Sequence, residues 1–211
     1  MKVLLVHPFE FVALNELVDA VSITWPVQTW YRGLVRDVPP EKLHHLRELT
    51  RRPIEMDALL ALPDNTFGHR FARFLRESQI AMGGHEASVS GLSETFETDW
   101  VTHRFFKIHD ILHALCGFGV DVPGEMGLQM FDVANLREPY GAFSIAATPY
   151  MMLRYGKPVR MVREIIRGYR LAGKAQNLFF APLEEMFEMD FEEVRVLVGL
   201  AERGQHAQAT P

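Results

Sequence analysis

The sequence predicts an all-α protein: a single-domain helical bundle with a metal site between two consecutive helices and an apolar ligand groove. Three observations predict it. Apolar side chains recur at helical intervals through most of the 211 residues, and sustained strand-like alternation is almost absent. Prolines and glycines fall at the edges of the periodic stretches, where helices start and stop. His109-Asp110-Ile111-Leu112-His113, followed after eleven residues by Glu125, sets metal-capable side chains on one helix and at the start of the next.

Along the chain, Phe9–Ile23 and Val27–Val35 are candidate helices on either side of a break at Trp25-Pro26. Pro40–Leu49 starts at a proline and carries Leu43, Leu46 and Leu49 at helical intervals. Thr66–Ile80 is amphipathic, with Phe67, Phe71, Phe74 and Leu75 inward and Arg70, Arg73 and Arg76 outward. Those arginines read as a solvated helix face. Met82–Ser93 is a polar, glycine-containing loop, and the helix bearing the histidines spans Thr98–Cys116. Helices then follow at Pro123–Leu136, Pro139–Tyr155, Val159–Ala172 and Pro182–Leu200. With neither an internal repeat nor a long linker, residues 1–200 form one all-α domain, and residues 201–211 form a flexible polar tail.

Bulk composition removes several function classes. At 48% apolar the chain can fill one domain core. A net charge of −5, with Lys and Arg dispersed, leaves no basic patch for a phosphate backbone, so nucleic acid is excluded as a partner. The one cysteine, Cys116, rules out an internal disulfide and reads as a small core residue. The start, Met1 to Glu10, has His7, Pro8 and Glu10 interrupting its apolar run, unlike a signal peptide. The charge-free stretch from Pro139 to Leu153 has fifteen residues, short of the roughly twenty that span a bilayer. These features predict a cytoplasmic protein, free or peripheral on the inner face of a membrane.

Helical geometry makes the histidine stretch informative. At about 100° per residue, His109 and His113 lie roughly 40° apart, so both imidazoles can close on one ion. Asp110 lies about 100° from His109 and about 60° from His113, as a direct ligand or a partner that orients an imidazole. Gly117 to Gly124 reads as helix stop, turn and restart, which brings Glu125 back toward the histidines. Metallopeptidase helices also carry histidines four apart, but there an acid between them acts as base, whereas here Asp110 directly follows the first histidine. Candidate metal ligands are therefore His109, Asp110, His113 and Glu125. Two histidines and a carboxylate suit zinc or non-haem iron equally, so spacing alone does not name the metal. Tyr140–Ala147, rich in small residues between aromatics, and Met126, Met130, Met151 and Met152 are either plain core or the walls of an apolar ligand groove.

The spacing His-Asp-x-x-His, eleven residues, Glu resembles the Coq-four family of ubiquinone (coenzyme Q) biosynthesis proteins. Leu62-Pro63-Asp64-Asn65-Thr66-Phe67-Gly68, continuing to Phe74-Leu75, is similar to the family's leucine-proline, threonine-x-glycine, phenylalanine-leucine helix. Gly141-Ala142-Phe143 and the segment from Gly173-Lys174 to Phe187-Glu188 are similar as well. The resemblance covers residues 55–200. Phe187 stands where family members carry tryptophan, and His69 replaces an expected arginine.

The resemblance implies a divalent metal, usually zinc, with iron, manganese and magnesium as alternatives, held by His109, Asp110, His113 and Glu125. It implies metal-dependent oxidative decarboxylation, in which the carboxyl of a polyprenylated 4-hydroxybenzoate-derived ring is replaced by hydroxyl. The same four residues would then be the catalytic ones. Implied partners are that polyprenylated aromatic quinone precursor, other ubiquinone-biosynthesis enzymes, a peripheral membrane contact and a homodimer. Two other readings stand beside it. One is a non-catalytic lipid-binding scaffold in which the metal staples two helices. The other is a histidine-aspartate phosphohydrolase, for which His85, His103 and Asp132 are available in no recognisable spacing.

Overall fold

Proline decides where most helices begin. The computed structural model describes residue 20, residues 24–78 and residues 100–202, with ten α-helices among them. Six carry proline in the first turn, where its missing N–H costs nothing. In order they are α1 (Trp25–Val35), α2 (Pro40–Arg51), α3 (Met56–Leu60), α4 (Phe67–Glu77), α5 (Trp100–Cys116), α6 (Val122–Phe131), α7 (Pro139–Ala146), α8 (Thr148–Tyr155), α9 (Pro158–Ala172) and α10 (Phe191–Leu197). A π-helical turn, Asp132–Leu136, extends α6, and 3-10 turns at Leu178–Phe180 and Leu183–Met186 precede α10. The expected Phe9–Ile23 helix, the Met82–Ser93 loop and the tail beyond residue 202 lie outside the described residues.

Three expected elements differ for stated reasons. Trp25-Pro26 opens α1 instead of breaking it, since proline is pre-set for a first turn. Pro139–Tyr155 is two helices, because Pro149 has no N–H and its ring would clash with the carbonyl four residues back. Pro182–Leu200 is likewise divided, because Asp190 caps α10 by accepting from the backbone N–H groups of Glu192 (2.9 Å) and Glu193 (3.2 Å).

Nine of the ten helices contribute to one core, α8 being the exception, and the described residues hold no strand beyond an isolated bridge between Thr66 and Asp190. Ile108, Ile111, Leu112 and Leu115 line the buried side of α5. Each buried aliphatic or aromatic side chain of this kind contributes about 1.5–3 kcal/mol. Phe187, at the tryptophan position of the resemblance, packs on Phe67 and Phe71 with ring centroids 5.4 and 5.7 Å away. His69 sits with Nδ1 2.9 Å from the Leu62 carbonyl oxygen. Cys116 is buried core, as its position suggested. The fully buried Arg104 guanidinium donates to Glu184 and, at 2.7 Å, to the Ala181 carbonyl, fastening α5 to the segment before α10.

α9 lies across α6 at a contact between two glycines. A Cβ on Gly168 would sit 2.0 Å from the Gly127 carbonyl oxygen, and one on Gly127 would sit 2.9 Å from the Glu164 oxygen. Only hydrogen fits at either position.

Glu138 caps α7, its carboxylate accepting from the backbone N–H groups of Tyr140 (2.7 Å) and Gly141. Burial pushes its carboxyl up to about 8, and the two backbone donors offset only part of that. The folded chain therefore keeps a proton here that the unfolded chain, with a carboxyl near 4.5, releases. Stability from this group is full below about pH 4.5, is lost as pH rises toward about 8, and stays lost above it. Chemical denaturation at about pH 5 and about pH 8 should show the natural chain losing several kcal/mol more than Glu138→Gln. Equal losses would contradict the assignment.

Candidate metal centre

The end of α5 both stops the helix and aims a histidine. Gly117 takes φ 69°, a left-handed conformation that suits glycine, and the Phe118 N–H donates to the His113 carbonyl at 3.0 Å. The Phe118 carbonyl oxygen in turn lies 3.2 Å from Nδ1 of His113. A carbonyl only accepts, so Nδ1 carries the hydrogen and Nε2 keeps its lone pair. Phe74 of α4 stacks on the same imidazole, centroids 5.9 Å apart. After the turn, Pro123 starts α6 and Glu125 occupies its first turn, where the positive end of the helix favours a carboxylate.

Glu125 reaches back between the histidines. Its Oε2 is 3.5 Å from Nε2 of His109, and its Oε1 is 3.3 Å from Nε2 of His113. The two imidazoles stand nearly perpendicular, at 87°. Potential ligand atoms of His109, His113 and Glu125 all lie within 4.8 Å of one another. Burial alone would raise the Glu125 carboxyl, but the two histidines outweigh it and hold it well below the usual carboxylate range. Burial would lower His109, yet the Asp132 and Glu125 carboxylates raise it well above the usual imidazole value. Two Nε2 donors and one carboxylate, with the far nitrogen of each ring already engaged, fit a divalent ion of the zinc or iron type.

The four residues expected from the sequence do not all converge. Asp110 is buried on α5 and stands outside the set of three. Cys116 is outside it too, its thiol pushed up by burial. His103 does not join it, and His85 lies outside the described residues. The sequence reading missed Asp132 as a neighbour of the centre: its Oδ2 is 2.7 Å from Nδ1 of His109. The signal was available, because Asp132 follows Glu125 by seven residues, about two turns along the same helix face.

α9 clamps the hairpin that carries the centre. Arg160 makes a two-pronged ion pair with Asp121 in the turn. Arg167 donates to the Cys116 and Gly117 carbonyls while its guanidinium lies 4.3 Å from the Phe118 ring centroid. The outer side of α8 and α9 is apolar and cationic together. Leu153, Val159, Val162, Ile166 and Tyr169 are exposed, with Leu153 89% accessible. Arg154, Lys157, Arg163 and Arg170 stand exposed among them. Of the expected groove residues, Met126 is buried, Met130, Met151 and Met152 are half-buried, and Phe143 is exposed. Among the described residues no helix is long and apolar enough to cross a membrane.

A family model described as "Coenzyme Q (ubiquinone) biosynthesis protein Coq4" matches residues 40–203. The chain is similar to a mitochondrial ubiquinone biosynthesis protein COQ4 of Eremothecium gossypii, with 26% identity over 92% of this chain and 60% of that one. A COQ4 homologue of Paramecium tetraurelia is 24% identical over 78% of this chain and 77% of its own length. One from Culex quinquefasciatus is 27% identical over 73% of this chain and 54% of that protein. The chain thus spans little more than half the length of the Eremothecium and Culex relatives. A crystal structure from Nostoc punctiforme shares the fold, with a TM-score of 0.69 and 23% identity over 92% of this chain and 94% of that one. With the matched stretch taking in both ends of the histidine–glutamate hairpin, the chain belongs to the Coq4 family of coenzyme Q (ubiquinone) biosynthesis proteins.

Proposed function

We propose that this protein carries out metal-dependent oxidative decarboxylation of a polyprenylated 4-hydroxybenzoate-derived ring, with dioxygen as the oxidant: the ring-to-carboxyl bond breaks to release carbon dioxide, and oxygen takes its place on the electron-rich ring. The supporting observation is the convergence of three protein donors, His109, His113 and Glu125, among the described residues. A purely structural zinc site is usually closed by four protein ligands, whereas a catalytic one holds three and keeps a position for exchange. The His109 and Glu125 side chains are 19% and 30% exposed, so the centre is reachable from outside. Asp110, beside His109 in sequence but outside the three converging donors, is proposed as a close neighbour of the centre rather than a fourth ligand. An ion held there would supply positive charge for the ring carboxylate or phenolate and for charge developing as carbon dioxide leaves. His113 is fixed by the Phe118 carbonyl and Phe74, so its lone pair needs no rearrangement to act.

The lipid side of the reading is supported by the exposed apolar stripe on α8 and α9. Between Pro139 and Lys174 seven basic residues stand against one acid, Glu164, in a chain of net charge −5. Such a face suits a prenyl tail and a peripheral position on the cytoplasmic side of an anionic membrane, beside other enzymes of the pathway.

Cells whose only copy carries Glu125→Gln provide the test, because the change keeps volume and removes charge. Mass spectrometry of quinone intermediates should show a prenylated ring that still bears its carboxyl, with the protein at normal abundance. Normal quinone levels would sink the catalytic reading and favour a lipid-presenting scaffold.

A further inference from the structure

We infer that Asp132 is a positioning residue for the metal centre, holding His109 as an Nδ1–H donor so that the Nε2 lone pair faces Glu125. This role presupposes the metal centre proposed above and adds a residue outside the His-Asp-x-x-His and Glu spacing.

The geometry assigns the hydrogen. Nδ1 of His109 lies 2.7 Å from Oδ2 of Asp132, the length of a charge-assisted bond. An ionised carboxylate only accepts, so the hydrogen sits on Nδ1. The opposite nitrogen, Nε2, faces Oε2 of Glu125 at 3.5 Å. His113 is set in the same tautomer by a neutral carbonyl, whereas Nδ1 of His109 is backed by a carboxylate. A carboxylate behind a metal-bound imidazole makes it a stronger donor and fixes its plane.

Packing alone does not account for a carboxylate at this place. Asp132 is 3% exposed, and its Oδ1 has no hydrogen-bond partner among the described residues. Burying a charge with one oxygen unsatisfied costs several kcal/mol, and an apolar side chain would fill the space without that cost. The ion pair that Asp132 makes is the one to His109. Its charge is therefore matched when the imidazole is positive or bound to a dication.

The backbone places it for the task. Seven residues separate Glu125 from Asp132, about 10.5 Å along the helix and roughly 20° around it. Because α6 runs back along α5, Glu125 meets the inner nitrogens of both histidines and Asp132 meets the outer nitrogen of His109. At Asp132 the α-helix gives way to the π-helical turn Asp132–Leu136, a distortion frequent at functional sites. Asn135 anchors that turn: its Nδ2 donates to the Gln176 carbonyl at 2.9 Å, and its Oδ1 accepts from the Leu178 N–H at 2.9 Å.

The test uses the full chain, stripped with a chelator and titrated with zinc against a chromophoric competitor. Asp132→Asn keeps the shape and removes the charge, and should weaken zinc binding by about 10- to 100-fold. The metal-free melting temperature should not fall. In the cobalt-loaded variant the visible ligand-field bands should shift, a readout that a purely structural carboxylate would leave alone. Zinc affinity and cobalt spectrum equal to those of the natural chain would overturn the role of Asp132 while leaving the centre intact. If the natural chain binds neither ion, the metal reading itself fails. Should Asp132→Asn not fold, nitrogen-15 spectra of the zinc-loaded natural chain decide. A hydrogen on Nδ1 of His109 supports the assignment, and one on Nε2 overturns it.

Discussion

Replacing His113 with alanine should remove the stabilisation that zinc gives this protein. With free zinc at about 100 times its dissociation constant, binding stabilises the folded state by about 2.7 kcal/mol. For a chain of this size that raises the melting temperature by about 5–11 °C. His113→Ala takes away one of three converging donors and should weaken binding by more than about 100-fold, beyond what loss of an orienting partner costs. The zinc-dependent shift should then vanish. The metal-free variant will also melt lower, because the Phe118 carbonyl loses its side-chain donor and Phe74 its stacking partner, together about 1–3 kcal/mol. The increment on adding zinc, read by thermal melts with and without the ion, separates the two effects. An undiminished increment in the variant would remove His113 from the centre.

Gly168→Ala should damage the contact between α6 and α9 with a single methyl group. In an ordinary helix interior the change gains about 1 kcal/mol in helix propensity. Here the new Cβ would lie 2.0 Å from the Gly127 carbonyl oxygen and 3.2 Å from the Phe131 nitrogen, backbone atoms that cannot rotate away. Overpacking of this severity costs about 3 kcal/mol, so the crowding wins by about 2 kcal/mol. The melting temperature should fall by about 4–8 °C. α6 also carries Glu125, so pushing α9 away should weaken zinc binding along with stability. A variant as stable as the natural chain would mean that the two helices have room to separate.

The legible parts of the fold and site depend on near neighbours in sequence. His109 and His113 share a helix, and Glu125 follows across a turn punctuated by Gly117 and Pro123, so spacing alone brings the three together. Asp110 shares their arc by residue count, but an arc about 100° wide cannot say which side chain points at an ion. Asp132 had a signal, two turns after Glu125 on the same helix face, but that spacing does not show that its partner is His109 on another helix. The exposed stripe on α9 was hidden for a different reason. Val159, Val162, Ile166 and Tyr169 have the spacing of an inward face, yet the buried positions are Met161, Gly168 and Ala172. The glycine contact with α6 selects the buried face of α9, and apolar residues are left outside. Apolar periodicity therefore located the helix but not its inner side.

Isotope release tests the central claim most directly. The full chain, loaded with zinc or with iron, on vesicles containing a polyprenylated 4-hydroxybenzoate-derived ring with a carbon-13 carboxyl, would be followed in air for labelled carbon dioxide. Release by the natural chain, falling by at least about 100-fold in Glu125→Gln, is the result predicted for a centre that stabilises charge at the departing carboxyl. Equal release by the two proteins, or none from the natural chain loaded with zinc or with iron, would contradict a decarboxylating metal centre at His109, His113 and Glu125.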